Sequence, residues 1–379
     1  FAAFGRRSTS ELLGKVMAVD YFGSLVASLV FPLVLLPQLG LMRGAYLVGA
    51  LNVLVAVLVL LQVRTPRKIL WAATAAVVAL VGMFAAANRI ERSVEALTYN
   101  DPVVYYQQTA YQKVVLTDYQ DDLRMYLNGQ LQFSSLDEAR YHETLSASAM
   151  TSVKDPAHVL VLGGGDGLLA REILRYPSVK DVTIVDIDPG VTELARSNRL
   201  LKDLNKASLS DPRVNVVNDD AFTYVQDSKA TYDVVLVDLV DPSNEKLAKL
   251  YSTEFYRNVE ARLAPEGVMV TQATSTFFSP HAFSTVASTV ATSQPDRQIL
   301  PFSTNIPSFG EWGFVLSTRT PQNLISQPLP EGLTYQDRET LEFIMRTKPA
   351  RTETMEPSTL LHPRIVEVYN RDMRQWRYY

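Results

Sequence analysis

Between residues 158 and 242, aspartates stand at or shortly after the ends of short runs of branched aliphatic residues. Carboxylates bind cations and accept protons, so the pattern indicates a site for a cationic ligand or for proton transfer. In a parallel sheet the carboxyl ends of the strands meet at one edge, which would bring these side chains together. Taken alone, each aspartate could instead cap a helix or close a turn. The residues are Asp166, Asp186, Asp220, Asp238 and Asp241.

The first aliphatic run ends in a glycine-rich turn, in which Gly163, Gly165 and Gly167 surround Asp166. Glycine permits a tight turn and a close approach of the backbone to a ligand. A helix that begins after the turn would present its N-terminal amides to that ligand. Asp186 comes 20 residues after Asp166, where a carboxylate can accept hydrogen bonds from ribose hydroxyls. This layout predicts a nucleoside site, and dinucleotide and adenosyl-sulfonium ligands both fit it.

Asp220 and Ala221 follow the third aliphatic run, where nucleoside-binding folds commonly read the base. The Asp220 carboxylate can accept a hydrogen bond from an adenine amino group. The alternative is a helix N-cap for the residues that follow, and one carboxylate can do both. We therefore predict that this pair lies on the adenine side of the site.

Asp238 and Asp241 follow the fourth aliphatic run and stand three residues apart before Pro242. Simple methyl transfer needs no carboxylate pair beside the sulfonium. Such a pair suits an amine substrate, since one carboxylate can take a proton from the attacking nitrogen while the other binds a second ammonium. The alternative is an Asx turn that is stabilised before the proline.

The composition limits the chemistry further. The chain contains no cysteine and four histidines, so we expect neither a thiolate nucleophile nor a metal site, and no permanently bound cofactor. The formal net charge is -4, and basic residues cluster only beside the apolar segments, which argues against nucleic acid as a partner. An acidic site instead suits a cationic ligand.

Strands and helix-compatible segments alternate from residue 158 onward. This order predicts a doubly wound parallel sheet in a catalytic domain at residues 137–319, with ligands at the carboxyl ends of the strands. The predicted strands span residues 159–162, 182–185, 214–217, 234–237 and 268–271, with 314–317 as a closing strand.

The flanking segments are patterned differently. Residues 99–136 predict a small antiparallel β lid domain, with Asn128-Gly129 as a tight hairpin turn. Residues 320–379 are rich in proline and weakly patterned, so we expect a C-terminal surface tail with a short helix near residues 365–374.

Three uncharged apolar stretches, at about residues 21–42, 44–63 and 69–88, each approach the ~20 residues that a membrane-spanning helix needs. They predict a transmembrane region at residues 1–98; the alternative is buried helices of a large soluble core. The chain begins at Phe1 rather than Met, so we expect an upstream segment. The sequence is also compatible with a homo-oligomer.

Several motifs, taken together and in this order, resemble those of the spermidine synthase family, the polyamine aminopropyltransferases, in its bacterial membrane-anchored form. The resemblance covers about residues 111–317. The motifs are Tyr111-Gln112, Leu127-Asn128-Gly129 with Gln132, Asp137-Glu138, Tyr141-His142-Glu143, Gly163 to Gly167, Asp186-Ile187-Asp188, Asp220-Ala221, Asp238 to Pro242 and Trp312-Gly313-Phe314.

The resemblance implies an α/β fold, a Rossmann-like doubly wound sheet of the class I methyltransferase type. A small β-hairpin domain and N-terminal transmembrane helices would precede this sheet. It also implies decarboxylated S-adenosylmethionine as co-substrate and an amine such as putrescine as acceptor. The products would be spermidine or a related polyamine and methylthioadenosine.

The resemblance also implies roles on the donor side. Gln112 and Asp186 would contact the nucleoside, Asp220 and Ala221 the adenine, and Asp166 the ammonium of the aminopropyl group.

On the acceptor side, His142 and Asp241 would face the amine, and Asp238 would accept its proton. Gln132 and Tyr141 would line the same cavity.

The chain departs from the family pattern mainly near the acceptor. Members commonly have a Gly-Pro pair shortly after the Asp-Pro, but here Pro242 is followed by residues 243–246, Ser-Asn-Glu-Lys. Phe309 replaces a common tyrosine, and Phe277 or Phe278 a common tryptophan. The acceptor therefore stays open, and two alternatives remain: an S-adenosylmethionine-dependent transferase that passes a methyl or aminopropyl group to another acceptor, and a non-catalytic membrane sensor of polyamines or nucleosides. On the donor side, Asp186 replaces a glutamate and Asn128 an aspartate.

Two arguments about membrane orientation conflict. The positive-inside rule counts six basic residues on the N-terminal side against three on the other, and would place the catalytic domain outside. The donor, however, is made in the cytoplasm, so we expect a multi-pass protein of the cell membrane with a cytoplasmic catalytic domain. The six are Arg6, Arg7, Lys15, Arg64, Arg67 and Lys68, and the three are Arg43, Arg89 and Arg92.

Overall fold

The computed structural model describes residues 9–63, 65–96, 98–321 and 324–376. By its internal contacts the chain divides into two compact units, Phe1–Val103 and Val104–Tyr379. Arg6, Arg7 and Arg64, which enter the orientation argument, lie outside the described residues, as does the side chain of Arg92.

The first unit is helical. Its described helices are α1 (Thr9–Val30), a π-helical turn (Phe31–Leu35), α2 (Leu36–Gln62) and α3 (Arg67–Ala96). Three segments in it are long and apolar enough to cross a membrane, namely Leu13–Leu35, Met42–Gln62 and Arg67–Ala87.

The first apolar segment runs from Leu13 to Leu35, through α1 and the π-helical turn, whereas the predicted span was about residues 21–42. Pro32 cannot donate a backbone hydrogen bond, and the chain forms the π-helical turn around it. Gly40, with φ 73° and ψ 173°, then interrupts α2 in a conformation that residues with a side chain rarely adopt. The break before the second span therefore falls at Gly40.

The second unit begins with a small antiparallel sheet in the order β1-β2-β3-β4. Asn128 and Gly129 join β3 to β4 with φ values of 52° and 82°, the left-handed pair of a tight hairpin turn, so the predicted turn is confirmed. The strands are β1 (Val103–Gln108), β2 (Lys113–Tyr119), β3 (Asp122–Leu127) and β4 (Gln130–Ser134).

The main sheet has the order β10-β11-β9-β8-β5-β6-β7. Strands β5 to β9 run parallel to one another, while β11 and β10 continue the sheet in antiparallel pairs. The predicted Rossmann-like α/β fold is thus confirmed, although β10 was not among the predicted strands. The strands are β5 (His158–Gly163), β6 (Asp181–Val185), β7 (Val214–Val217), β8 (Tyr232–Asp238), β9 (Leu263–Ser275), β10 (Gln298–Ile306) and β11 (Gly310–Thr318).

Buried side chains cover both faces of this sheet, as the alternation along β5 illustrates. Val159 and Val161 join one hydrophobic cluster, whereas Leu160 and Leu162 join another on the opposite face. The helices packed around the sheet are α4 (Glu138–Met150), α5 (Leu168–Ile173), α6 (Pro189–Ser197), α7 (Arg199–Leu204), α8 (Ala221–Asp227), α9 (Glu245–Ala248), α10 (Thr253–Glu260), α11 (Pro280–Ser293), α12 (Arg338–Arg346) and α13 (Arg364–Arg374).

The expectation of a surface tail at residues 320–379 was wrong, although its predicted helix is present as α13. Leu341 on α12 and Ile365 on α13 are fully buried. Glu143 on α4, 2% exposed, accepts hydrogen bonds from the backbone amides of Thr334, Tyr335 and Gln336 and from the Thr334 hydroxyl. The segment is thus ordered by tertiary packing. Its helices are short and lie among prolines, so their amphipathic pattern is difficult to recognise in the sequence.

Glu143→Gln should lower the free energy of unfolding of the second unit by about 3 kcal/mol, because it removes a buried charge that accepts four hydrogen bonds. Urea unfolding followed by tryptophan fluorescence measures this change. Glu342→Gln, which loses only a surface ion pair with Arg338, should change it by less than about 0.5 kcal/mol. Equal midpoints for the two variants would contradict a structural role for Glu143.

Candidate active site

A cavity of about 600 Å³ opens at the carboxyl ends of β5, β6 and β8, with residues of the small sheet forming part of its wall. Its volume suits a nucleoside-sized ligand together with a small amine. The structure brings twelve of the predicted site residues together in its lining, and Gly167 is the one that lies outside it. The twelve are Gln112, Gln132, Tyr141, His142, Gly163, Gly165, Asp166, Asp186, Asp220, Ala221, Asp238 and Asp241.

The glycine turn joins β5 to α5 and packs directly against neighbouring strands. Gly163 has φ 88°, and a Cβ there would lie 1.9 Å from the backbone oxygen of Asp238. At Gly165 a Cβ would lie 2.4 Å from Oδ2 of Asp186. Gly167 has φ 80° and packs against Ser208, so its requirement for glycine is structural rather than a matter of ligand contact.

Asp186 follows β6 and is held by the backbone. Its Oδ2 accepts a hydrogen bond of 3.0 Å from the Gly165 amide, and its Oδ1 accepts one of 2.9 Å from the Asp188 amide. Burial raises the pKa of Asp186 to about 6 despite these two bonds. The carboxylate is therefore fixed beside the glycine turn, in the lining of the cavity.

Asp220 ends the loop after β7 and caps α8, as its alternative interpretation predicted. Its Oδ1 accepts a hydrogen bond of 2.9 Å from the Phe222 amide, while Oδ2 pairs with Nζ of Lys249. Lys249 also lines the cavity. A contact between Asp220 and an adenine amino group would thus share this carboxylate with a lysine that sequence analysis did not identify.

Gln112 reaches the cavity from the loop between β1 and β2. The backbone amide of Gln112 donates to the Thr109 hydroxyl, and that hydroxyl in turn donates to Oδ2 of Asp188 at 2.8 Å. Because Asp188 also caps α6, the loop is fastened to the main sheet beside Asp186. Gln112 therefore lies on the same side of the cavity as Asp186. Gln132 lines the cavity from β4.

Asp238 ends β8 beside the glycine turn, and the phenol of Tyr141 donates a hydrogen bond of 2.6 Å to its Oδ1. Burial raises the pKa of Asp238 to about 6. Burial and the neighbouring carboxylate raise the pKa of Tyr141 well above its ordinary value, so the phenol stays a donor. An aspartate in this setting is a stronger base than an exposed one.

His142 on α4 belongs to a buried polar chain. Its Nδ1 lies 2.8 Å from Oε2 of Glu138 and 3.0 Å from that residue's backbone oxygen, so Nδ1 carries a proton and donates. Arg171 donates to both carboxylate oxygens of Glu138 at 2.9 Å. Burial opposes the charged imidazole, but the hydrogen bond to Glu138 and the negative charges of Glu138, Asp166 and Asp238 together outweigh it, and the pKa of His142 rises to about 8. This leaves Nε2 as the ring atom that can meet an acceptor amine.

Asp166 and Asp241 complete the acidic lining. Asp166 accepts a hydrogen bond of 2.9 Å from the Leu168 amide, and burial raises its pKa. Asp241 accepts one of 2.9 Å from the Tyr369 hydroxyl at Oδ2. Its Oδ1 is buried and accepts no hydrogen bond within the described parts of the chain. Burial also raises the pKa of Asp241, to about 6.

Two further buried side chains hold the loop between Asp238 and Asp241. The Tyr251 hydroxyl donates to the backbone oxygen of Val240 at 2.8 Å, and Nε2 of Gln272 donates to that of Leu239 at 2.6 Å. Sequence analysis missed both, together with Lys249 and Tyr369. Glu138, the partner of His142, was also not predicted as a site residue, but unlike these four it belongs to a motif, Asp137-Glu138, that the sequence analysis recognised.

The arrangement joins three partly buried carboxylates, a donor phenol and a histidine around one cavity. Such a cavity attracts a cationic ligand and can accept a proton from it. Within the residues that the structure describes, no group of three or more His, Asp or Glu is placed to hold a metal ion.

Comparison with known proteins gives the same result for sequence and for structure. Residues 138–327 match the model of the spermine/spermidine synthase domain. The chain is 38% identical over 367 residues to a polyamine aminopropyltransferase of Oceanobacillus iheyensis, covering 94% of this chain and 71% of that protein. It is 39% identical over 389 residues to polyamine aminopropyltransferase 1 of Streptomyces coelicolor, covering 98% and 72%.

Solved structures agree. A spermidine synthase in complex with the transition-state analogue AdoDATO superposes with a TM-score of 0.60 at 25% identity, covering 65% of this chain and 85% of the other. Spermidine synthase from Thermotoga maritima superposes with a TM-score of 0.59, also at 25% identity, covering 65% and 84%. The predicted resemblance is confirmed, and the chain belongs to the spermine/spermidine synthase family.

Proposed function

We propose that this protein transfers the aminopropyl group of decarboxylated S-adenosylmethionine to an amine such as putrescine, giving spermidine or a related polyamine and methylthioadenosine. The observation that carries the proposal is the convergence of the partly buried Asp166, Asp238 and Asp241 on one cavity beside a nucleoside-type glycine turn. Relatives named polyamine aminopropyltransferase, and a solved spermidine synthase with a transition-state analogue, support it.

The reaction requires orientation and one proton transfer. The acceptor nitrogen attacks the aminopropyl carbon bonded to sulfur, the C–S bond breaks, and its electron pair neutralises the sulfonium. The proton that leaves the nitrogen passes to the carboxylate of Asp238. Tyr141 holds that carboxylate through its 2.6 Å hydrogen bond. The donor carbon is already activated by its sulfonium, so positioning supplies much of the remaining rate.

The other residues would bind the two substrates. Asp166 would pair with the ammonium of the aminopropyl group, and Asp241 with the distal ammonium of a diamine. His142 would meet the acceptor through Nε2, since Nδ1 is held by Glu138.

On the donor side, Asp186 would accept hydrogen bonds from the ribose, and Asp220 and Ala221 would contact the adenine. Gln112 would cover the nucleoside. The backbone of Gly163 and Gly165 would lie against it.

The direct test incubates the purified full chain with decarboxylated or ordinary S-adenosylmethionine and a panel of amines. Methylthioadenosine should form only from the decarboxylated donor and only with an amine present. S-adenosylhomocysteine as the product would indicate methyl transfer instead. Nucleoside binding by calorimetry without either product would indicate a sensor.

Asp238→Asn should lower kcat by about 100-fold or more, because an amide cannot accept the proton from the amine. Methylthioadenosine binding, measured by calorimetry, should change little, because Asp186, Asp220 and the backbone of the glycine turn, rather than the Asp238 side chain, would hold the nucleoside. Asp203→Asn alters an exposed aspartate that pairs with Arg199, and serves as the matched control with unchanged turnover. Full turnover in Asp238→Asn would remove Asp238 from the role of base.

The rate should also depend on pH through the two buried carboxylates. Asp238 and Asp241 both have a pKa raised to about 6, and both must be ionised to hold a cationic amine and accept its proton. As the pH falls, kcat/KM for the acceptor should therefore decline through about pH 6. A decline that begins only near the ordinary aspartate pKa, at about pH 4, would contradict their burial.

We further propose that the three apolar helices of the first unit span a lipid bilayer and that the second unit faces the cytoplasm. Length and composition of the helices support the first point, and the cytoplasmic origin of the donor supports the second.

Protease added to sealed spheroplasts should leave the second unit intact, whereas permeabilised cells should lose it. Cleavage of the second unit in sealed spheroplasts would contradict the cytoplasmic location and favour the external location predicted by the positive-inside rule.

A further inference from the structure

Helix α13 contacts the loop that carries Asp241, although the two are 128 residues apart in sequence. The Tyr369 hydroxyl donates to Oδ2 of Asp241 at 2.9 Å, and Nδ2 of Asn370 donates to the backbone oxygen of Ser243 at 3.2 Å. Tyr369 is 5% exposed. The helix thus holds both the side chain and the backbone of this loop, in the stretch where the chain departs from the family pattern.

Buried contacts with the start of α11 anchor α13 itself. Asp372, 2% exposed, accepts hydrogen bonds from the amides of His281 and Ala282 at 2.9 and 3.1 Å, and pairs with Nδ1 of His281 at 2.8 Å. Trp376 donates from Nε1 to the backbone oxygen of Phe278 at 2.9 Å. A hydroxyl carried by so constrained a helix has little freedom to leave its partner.

The two oxygens of the Asp241 carboxylate have different surroundings. Oδ2 is taken by the phenol, whereas Oδ1 is buried without a geometrically well-formed hydrogen bond among the described residues, although the Gln272 side chain also approaches this carboxylate. Asp241 lines the cavity, while Tyr369 is absent from its lining. A buried carboxylate oxygen without a donor is costly, and an ammonium group in the cavity would relieve that cost.

We propose that Tyr369 is a positioning residue for the acceptor: through its hydrogen bond to Oδ2 it holds the Asp241 carboxylate in the orientation in which that carboxylate pairs with the distal ammonium of a diamine. This inference rests on the proposed aminopropyl transfer. Tyr369 touches neither substrate and acts through Asp241 alone. Helix α13 thereby contributes to acceptor binding through the position of the Asp241 side chain.

Tyr369→Phe in the full chain should raise KM for putrescine about tenfold or more, because it removes one hydrogen bond to a charged group. Both kcat and the Kd of methylthioadenosine should change far less. The matched control is Tyr224→Phe, which removes a hydroxyl that bonds only Tyr232 in the described contacts, at 2.8 Å, and should leave KM unchanged. A thermal melt of each variant tests for loss of folding.

A double-mutant cycle separates positioning from packing. If Tyr369 acts through Asp241, adding Tyr369→Phe to Asp241→Asn should change acceptor affinity no further. Calorimetry of putrescine with enzyme saturated by methylthioadenosine measures this affinity even if turnover is slow. Additive effects, or a lower melting temperature with wild-type KM, would overturn the inference. Absence of transfer by the wild-type chain would instead refute the proposed function.

Discussion

The close approach of β5 to β8 at the carboxyl edge of the sheet is the constraint on which the site depends. Gly163 stands opposite Asp238 in the register of these strands, and a side chain at Gly163 would overlap the Asp238 carbonyl. The topology reverses here, since β6 and β7 lie on one side of β5 and β8 and β9 on the other. Crevices form at such reversals. The glycine turn and the Asp238 carboxylate consequently open into one cavity.

The buried carboxylates of this cavity weaken the fold that holds them. Burial raises the pKa of Asp186, Asp238 and Asp241 to about 6, so the folded chain binds their protons more tightly than the unfolded chain does. Their contribution to stability is therefore present below about pH 4 and is lost as the pH rises through about 6. A cationic ligand would restore part of it by pairing with the ionised groups.

The C-terminal segment supplies partners that these and neighbouring carboxylates require. Backbone amides of residues 334–336 satisfy Glu143 on α4, and Tyr369 on α13 satisfies one oxygen of Asp241. Buried polar groups are nearly always paired, and here the pairing residues lie more than 120 positions away in sequence. The segment is thus part of the folded unit, even though its composition resembles that of a tail.

The sequence by itself determined the features that a few adjacent residues encode. Aliphatic runs specified the strands, Asn128-Gly129 the hairpin turn, and the glycine run the turn after β5, because backbone conformation and burial period are local properties. It also placed the aspartates at one edge, since parallel strands bring their carboxyl ends together. Only the tertiary structure decided the antiparallel strand β10, the packing of α12, and the partners Lys249 and Tyr369. Those features depend on contacts between distant segments, which packing selects and no local pattern records.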